Sequence, residues 1–338
     1  MNTKLLKNTS EDLQIAAQLI RQGELVAFPT ETVYGLGADA RNEASVRAIF
    51  QAKGRPADNP LIVHISNLDM LESIAAEIPS IALKLAETFW AGPLTMIFPK
   101  RPDIPYVTSG GLETVGVRIP AHPAAQALIS LSGCPIAAPS ANRSGLPSPT
   151  TAQHVMQDMN GRISAVLDGG QCKGGVESTV ICFDDAQTIH ILRPGLVSKE
   201  DLIPFAKSVY VDKAVFEQIA PDTKVSSPGM KYKHYSPKAK ILPVDAPDFQ
   251  SFSNYVKQNQ TANTYCLLFD SDPDIQGIPC LHYGDNGFQQ AHDLFFRFRQ
   301  LDELQAEIVY VRMPEQSGAD LSVYNRLMRA AGFEVIRL

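Results

Sequence analysis

The chain has 338 residues, 44% hydrophobic and 20% charged, which suits about two globular domains. Its formal net charge of -6 excludes a global positive field that could hold nucleic acid through phosphate contacts alone. No segment approaches the ~20 apolar residues of a membrane-spanning helix, and the N-terminus lacks a signal-peptide pattern. The five scattered cysteines contain no CxxC pair and are expected to be reduced. We therefore expect a cytoplasmic protein without a membrane segment.

Helical and extended patterns alternate from the N-terminus onwards. Ser10 is predicted to cap a first helix, which Gly23 ends. Apolar runs then predict strands at 25–28, 61–65, 94–98, 115–119, 135–139, 165–167, 179–183 and 189–192, and helices at 44–53, 68–76, 81–89 and 123–131. Short strands and helices in this order indicate an α/β fold with a mixed sheet.

The pattern changes between about residues 205 and 240. The segment SSPGMKYKHYSPKAK, at 226–240, is rich in lysine and proline, contains no acidic residue and is predicted to be an extended linker. Beyond it, the strands TYCLLF and EIVYV alternate with helices at 289–304 and 321–331, which predicts a smaller parallel-sheet domain. The predicted limits are 1–206 for the first domain, 207–240 for the linker and 241–338 for the second domain.

The segment 29–40, PTETVYGLGADA, places hydroxyl groups, a carboxylate and a phenol before two glycines. A polar segment between a strand and glycines often lines a pocket. The alternative is a capped turn with Tyr34 in the core, and the residues alone do not decide between the two.

Lys53 and Arg55 flank Gly54 in the segment KGRPADNP. A lysine point charge beside an arginine fork suits phosphate or carboxylate groups, and Pro56 and Pro60 stiffen the loop. The alternative is a helix C-terminus whose cations complement the helix dipole.

Two further residues occur within apolar strands. His64 lacks partners at metal-ligand spacing, so we expect a core histidine rather than a zinc ligand. Arg118 lies in VGVRIP, and a buried guanidinium needs either an internal acid or a ligand carboxylate.

The segment 138–154, APSANRSGLPSPTTAQH, is rich in hydroxyl and amide groups and contains Ser140 and Asn142. It predicts either a phosphate-binding loop or a turn-rich connection to a helix capped near Thr150. Ser178 and Arg193 add a hydroxyl and a cation. Since no nucleophile with a matching base is evident, these residues favour catalysis by positioning and charge neutralisation at phosphates.

Taken in order, PTETVYGLGADA, KGRPADNPLIVHI, GPLTMIFP, VGVRIPAHP, APSANRSGLPSPTTA, ESTVI and LRPG resemble the YrdC/Sua5 family, and SPGMKYKHYSP resembles its interdomain linker. The resemblance implies a YrdC-like domain with a twisted mixed sheet and a concave cleft. An extended linker would join this domain to a smaller, Rossmann-like Sua5 domain.

The resemblance also implies an activity. Family members join L-threonine, bicarbonate and ATP into L-threonylcarbamoyladenylate and release pyrophosphate. Mg²⁺ is expected to be carried by the nucleotide rather than by a metal site of the protein. The product would pass to the machinery that forms N6-threonylcarbamoyladenosine at tRNA position 37, and a weak tRNA contact is possible.

The family's site residues fall on matching positions of this chain. Catalytic roles are implied for Lys53, Arg55, Ser140 and Asn142. ATP would be bound by Arg55, Asn59, Thr114, Ser140, Ser148, Arg193 and Tyr235. Threonine would be bound by Thr32, His64, Arg118, the backbone near Ala138, and Ser178.

Two other functions remain as alternatives. The first is an RNA-binding module, against which the net charge of -6 argues. The second is carbamoyl transfer of the hydrogenase-maturation type, against which the missing CxxC pairs and the short chain argue. The residues do not determine how Lys53 and Arg55 divide their work, or whether threonine is preferred over serine.

Overall fold

The computed structural model describes residues 2–57, 59–217 and 235–338. The strands up to residue 217 are β1 (Lys4–Lys7), β2 (Val26–Phe28), β3 (Gly35–Asp39), β4 (Ile62–His64), β5 (Leu94–Pro99), β6 (Thr114–Arg118), β7 (Ile136–Ala137), β8 (Ala165–Asp168), β9 (Thr179–Asp185), β10 (Thr188–Arg193) and β11 (Ser208–Val211). The helices are α1 (Ser10–Arg21), α2 (Glu43–Lys53), α3 (Leu68–Glu72), α4 (Ser80–Phe89), α5 (Pro123–Ser132), α6 (Ala152–Met159) and α7 (Lys199–Leu202). Short 3-10 turns follow at Ile203–Phe205 and Lys213–Val215.

These strands form one 11-stranded mixed sheet in the order β1-β8-β2-β3-β7-β4-β6-β5-β9-β10-β11, as the mixed α/β prediction required. Helices cover both faces, and alternate residues of β2 show the division. Ala27 packs in the cluster that contains Val46 and Ile49 of α2. Val26 and Phe28 pack in the cluster formed with α1 and α5. The side-chain alternation of a strand thus buries both faces of the sheet.

The second part of the chain forms a separate parallel sheet. Its strands are β12 (Lys240–Asp245), β13 (Thr264–Leu268), β14 (Cys280–His282), β15 (Ile308–Arg312) and β16 (Ile336–Arg337), and its helices are α8 (Phe249–Asn259), α9 (Gly287–Glu303) and α10 (Asp320–Ala331). The order β14-β13-β15-β12-β16, with parallel pairing throughout, confirms the smaller parallel-sheet domain. This order differs from that of the dinucleotide-binding Rossmann fold.

Several boundaries differ from the predictions. Thr9, not Ser10, caps α1, because the Thr9 hydroxyl accepts from the Asp12 backbone N–H. β3 occupies part of the segment 29–40, for which no strand was predicted. β11 pairs with β10 beyond the predicted domain limit at residue 206. Residues 218–234, half of the predicted linker, lie outside the described residues.

Helices α9 and α10 pack the second domain against the first. The cluster beneath them combines Leu294 and Leu327 with Val33 and Val176 of the first domain, so the two domains share one apolar core. The five cysteines are not paired with one another in disulfides. None of the described helices has the length and apolar character needed to cross a bilayer.

Candidate active site

A cleft with a cavity volume of about 70 Å³ lies where the first domain meets Tyr235, near the end of the predicted linker. It brings together most of the predicted site residues: Thr32, Lys53, Arg55, His64, Arg118, Ala138, Ser140, Asn142, Ser178, Arg193 and Tyr235. Their separation in the sequence shows that the sheet topology, not any local segment, assembles the cleft.

The central strands of the first sheet explain this assembly. β4 lies between β7 and β6, and His64 is in register with Arg118 of β6 and with Ile136 of β7. The Ala138 backbone N–H donates to the Ile62 carbonyl oxygen. From Ala138, just after β7, the chain continues into the loop that contains Ser140. Because β7 is antiparallel to β4, the residues that follow β7 lie beside those that precede β4, whereas His64 and Arg118 lie together at the ends of two parallel strands.

Lys53 holds the Ser140–Asn142 loop in place. It is the last residue of α2, as the helix-end alternative required, and its side chain is buried. The Lys53 Nζ donates to the carbonyl oxygens of Ser140, at 2.5 Å, and Asn142, at 2.7 Å. Burial, followed by the neighbouring Arg55 charge, lowers the pKa of Lys53 well below its ordinary value. Its donors therefore serve the loop backbone.

Ser140 and Asn142 are also joined through their side chains. The Ser140 hydroxyl donates to Asn142 Oδ1 at 2.5 Å, and Asn142 Nδ2 donates to the Arg143 and Leu146 carbonyls. Each polar group of Asn142 thus has a partner within the loop. Such a network fixes the direction in which the Ser140 side chain faces the cleft.

Arg118 pairs with an internal acid, Glu31. Its Nη1 donates to Glu31 Oε1 at 3.0 Å, and its Nη2 donates to the Thr32 hydroxyl at 3.0 Å. Glu31 also accepts from the Ala121 backbone N–H, at 2.9 Å. Among the described residues, the Arg118 Nε has no hydrogen-bond partner. Sequence reasoning left the anion open and did not identify Glu31, although Glu31 stands beside Thr32 in the same motif.

His64 is buried and uncharged. Its ring meets the Phe28 ring edge-on, with 5.7 Å between centroids, and the Nδ1 has no hydrogen-bond partner among the described residues. Burial, followed by the Arg118 charge, lowers the pKa of His64 well below its ordinary value. The prediction of a core histidine holds, and the same residue lines the cleft.

Tyr34 and Thr32 show that both interpretations of residues 29–40 apply, each to a different residue. Tyr34 is fully buried, and its hydroxyl donates to the Gly170 carbonyl at 2.8 Å. Thr32 instead lines the cleft. Residues 31–34 precede β3 in irregular backbone, so no strand pleat holds these two side chains on one face.

Arg193 and Ser178 form another wall of the cleft. Arg193 Nε donates to the Ser178 carbonyl at 3.0 Å, and its Nη2 donates to the Ser178 hydroxyl at 3.1 Å. The Ser178 hydroxyl also lies 2.8 Å from the Thr95 hydroxyl. Burial lowers the pKa of Arg193 to about 10, so its guanidinium stays charged at neutral pH. The wall presents a fixed cation beside two hydroxyl groups.

Glu177 is a cleft residue that sequence reasoning quoted within a motif without assigning it a role. Its Oε1 accepts from the Ser148 hydroxyl at 2.5 Å, and its Oε2 accepts from Arg326 Nε at 2.8 Å. Burial alone would raise the pKa of Glu177, but the Arg326 and Arg193 charges hold it below its ordinary value. No sequence signal indicated Arg326, because it lies 149 residues away, on α10.

Three predicted ATP residues lie outside the cleft lining. Ser148 is buried behind Glu177. Thr114 begins β6 and lines a smaller, neighbouring cavity with Pro60. Asn59 is fully buried, and its side-chain amide has no hydrogen-bond partner among the described residues.

The described lining of the cleft provides few ligands for a metal ion. Among the described residues that line it, Glu177 is the one carboxylate, and Arg326 neutralises it. The group of potential metal ligands found in the described ranges is Cys182, Asp184 and His190, on the β9–β10 hairpin and outside the cleft lining.

Comparisons with known proteins agree over the whole chain. The Sua5/YciO/YrdC family model, described as "Telomere recombination", matches residues 18–195, and a model described as the C-terminal domain of threonylcarbamoyl-AMP synthase matches residues 197–332. Threonylcarbamoyl-AMP synthases of Pyrococcus abyssi and Bacillus subtilis are each 42% identical to this chain; the matches cover 96% and 99% of it, and 96% and 97% of the relatives. The crystal structure of P. abyssi Sua5 complexed with L-threonine superposes with a TM-score of 0.91 at 40% identity and covers 100% of both chains.

Proposed function

The chain belongs to the Sua5/YrdC family, and we infer that it is a threonylcarbamoyl-AMP synthase, which forms L-threonylcarbamoyladenylate and pyrophosphate from L-threonine, bicarbonate and ATP. The observation that carries this inference is that one cleft is lined both by Arg118, Thr32 and His64 and by Arg55 and Arg193. The first group suits an amino acid, and the two further arginines suit a triphosphate.

At the amino-acid end, we propose that Arg118 binds the threonine carboxylate. Its guanidinium is buried and held in a fixed direction by Glu31 and Thr32, as a bidentate carboxylate contact requires. His64, being neutral, can accept a hydrogen bond from threonine without adding a second positive charge beside Arg118. The Ala138 backbone and the Ser178 hydroxyl complete the proposed threonine site.

The reaction has two bond-forming steps. The neutral threonine amine attacks the bicarbonate carbon, and water leaves to give a carbamate. A carbamate oxygen then attacks the α-phosphorus of ATP while the bond to pyrophosphate breaks. The first product decomposes readily in water, so a cleft that limits solvent access protects it.

At the nucleotide end, we propose that Arg55 and Arg193 neutralise the charge that develops on the leaving pyrophosphate. Lys53 acts by holding Ser140 and Asn142, since its donors contact the carbonyls of that loop. Mg²⁺ would enter as part of the ATP complex, because Glu177 is already neutralised by Arg326. Asn59, Thr114, Ser148 and Tyr235 remain proposed ATP residues.

We also propose a cytoplasmic location and transfer of the adenylate to the enzymes that form N6-threonylcarbamoyladenosine in tRNA. The names of the relatives support the activity and thereby the tRNA pathway. A weak tRNA contact remains a prediction that a salt-titrated binding measurement would test.

The direct experiment measures pyrophosphate release from ATP with threonine and bicarbonate, with each omitted in turn, and with serine in place of threonine. We expect release to require all three substrates and the adenylate to appear by mass spectrometry. In Arg118→Met, the KM for threonine should rise about tenfold or more, while the KM for ATP changes little. Pyrophosphate release that is independent of threonine or bicarbonate would overturn the proposal.

A further inference from the structure

Arg326 is a residue of the second domain that contacts residues of the active-site lining. It lies on α10, and no part of it is exposed. Its Nε donates to Glu177 Oε2 at 2.8 Å, and its Nη2 donates to the Pro194 carbonyl at 3.1 Å. Its Nη1 donates to Asn325 Oδ1 at 2.9 Å. The guanidinium is therefore fixed in direction by both domains.

The same guanidinium lies against Tyr235, which belongs to the predicted linker. Its central carbon is 5.5 Å from the centre of the Tyr235 ring, within the range of a cation–π contact. The Tyr235 ring also stacks on Phe295 of α9 at 5.1 Å. Because Tyr235 lines the cleft, Arg326 touches the active site through two of its lining residues, Glu177 and Tyr235.

Glu177 is the buried anion to which Arg326, Ser148 and the neighbouring cations are directed. Without Arg326, its buried carboxylate would keep only the more distant charges and the Ser148 hydroxyl as compensation. The charged, titratable and hydrogen-bonding groups that face it from the surrounding elements are Arg326, Arg193, Lys53, Tyr235 and Ser148. A buried carboxylate that loses its principal cation takes up a proton instead.

We propose that Arg326 is a positioning residue for ATP: it keeps Glu177 ionised and oriented against Ser148 behind it, and thereby fixes the lining residues Arg193 and Tyr235 at the nucleotide end of the cleft. The second domain thus completes the ATP site of the first. This inference rests on the proposed synthase function and adds to it a role for the second domain.

A second ion pair between the domains provides a matched control. Arg299 of α9 donates to Asp158 at 2.8 Å, and both side chains are as buried as Glu177. Arg299 and Asp158 do not line the cleft. Arg299 Nη2 also donates to the Pro147 carbonyl at 2.6 Å, as Arg326 Nη2 does to the Pro194 carbonyl. Loss of Arg299 therefore reports the cost of breaking a buried interdomain pair and a carbonyl contact, whereas loss of Arg326 reports that cost together with the loss of a cation that contacts Glu177 and Tyr235 of the cleft lining.

The test compares the full-length wild type with Arg326→Met, Arg326→Lys and Arg299→Met in threonine-dependent pyrophosphate release. In Arg326→Met we expect the KM for ATP to rise about tenfold or more and the KM for threonine to change less than about threefold. The KM for ATP in this variant should also increase as the pH falls from about 8 to about 6, as Glu177 is protonated. Arg326→Lys should recover part of the affinity, and Arg299→Met should lower thermal stability without the ATP-specific effect.

Two outcomes would overturn the inference while leaving the synthase function intact: an Arg326→Met enzyme with the wild-type KM for ATP and pH profile, or equal effects of Arg326→Met and Arg299→Met on that KM. Should Arg326→Met fail to fold, the double variant Glu177→Gln/Arg326→Met removes the unpaired charge, and the same ATP-specific rise is expected. A wild-type enzyme without threonine-dependent activity would instead refute the function itself.

Discussion

Replacing Lys53 by methionine tests whether this lysine serves the loop rather than the substrate. Methionine keeps the apolar stem and removes the donors to Ser140 and Asn142. Each buried carbonyl left without a donor costs about 1–3 kcal/mol, hence about 2–6 kcal/mol for the pair. Part of this cost is offset because a buried amine no longer has to be desolvated. We expect a net loss of about 2–4 kcal/mol in the free energy of unfolding.

The assay is denaturant unfolding of the wild type, Lys53→Met and Lys100→Met, together with pyrophosphate release. Lys100 is a suitable control because it is buried and donates to a single carbonyl, that of Ile104, at 2.9 Å. Its replacement should cost about 1 kcal/mol and leave activity near the wild-type level. Lys53→Met should lose most of its activity because the Ser140–Asn142 loop is no longer fixed.

The pH dependence gives a second, independent result. Since the pKa of Lys53 is lower in the folded protein, the unfolded chain binds more protons between that pKa and the ordinary lysine value. Wild-type stability therefore gains a contribution as the pH rises through this window, with a slope of up to about 1.4 kcal/mol per pH unit, and Lys53→Met lacks it. Wild-type stability and activity in Lys53→Met, with no pH-dependent difference, would refute the reasoning.

Three further outcomes follow from single features. Thr9→Ala should destabilise the protein by about 1 kcal/mol in denaturant unfolding and Ser10→Ala by a few tenths at most, since Thr9 makes the capping bond; equal losses would restore Ser10 as the cap. Gly195→Ala should abolish ATP-dependent activity, because its Cβ would lie 2.2 Å from the Thr179 backbone nitrogen; a fully active variant contradicts this packing. Burial and Arg118 lower the pKa of His64, so wild-type stability should fall as the pH drops below about 6.5, and His64→Leu should reduce this decline by up to about 1.4 kcal/mol per pH unit. An unchanged acid profile in His64→Leu would exclude His64 as the cause.

Most elements were predictable because they rest on local signals. The apolar runs at 61–65 and 94–98 became β4 and β5, and the linker composition marked the change of domain near residue 240. β3 and β11 were missed because GLGAD and SVYV carry short or ambiguous patterns, and their pairing with distant strands decides their conformation.

The site residues illustrate the same limit. Their identity followed from motifs, since cations, hydroxyls and amides in that order resemble one family. The ion-pair and hydrogen-bond partners of these residues could not be inferred from the motifs. The sequence could state that Arg118 needs an anion but could not select Glu31, and it gave no indication that Arg326 reaches Glu177.

The sequence by itself determined which residue types are available, which segments are apolar and that the cations and hydroxyls of these motifs suit phosphate and carboxylate groups. The tertiary structure decided that Lys53 binds the Ser140–Asn142 loop and that Arg326 of the second domain pairs with Glu177 of the cleft lining. The physical reason is that periodicity reports how a side chain is buried. A buried charge also needs an oppositely charged partner, and that partner belongs to a distant segment that only the fold places beside it.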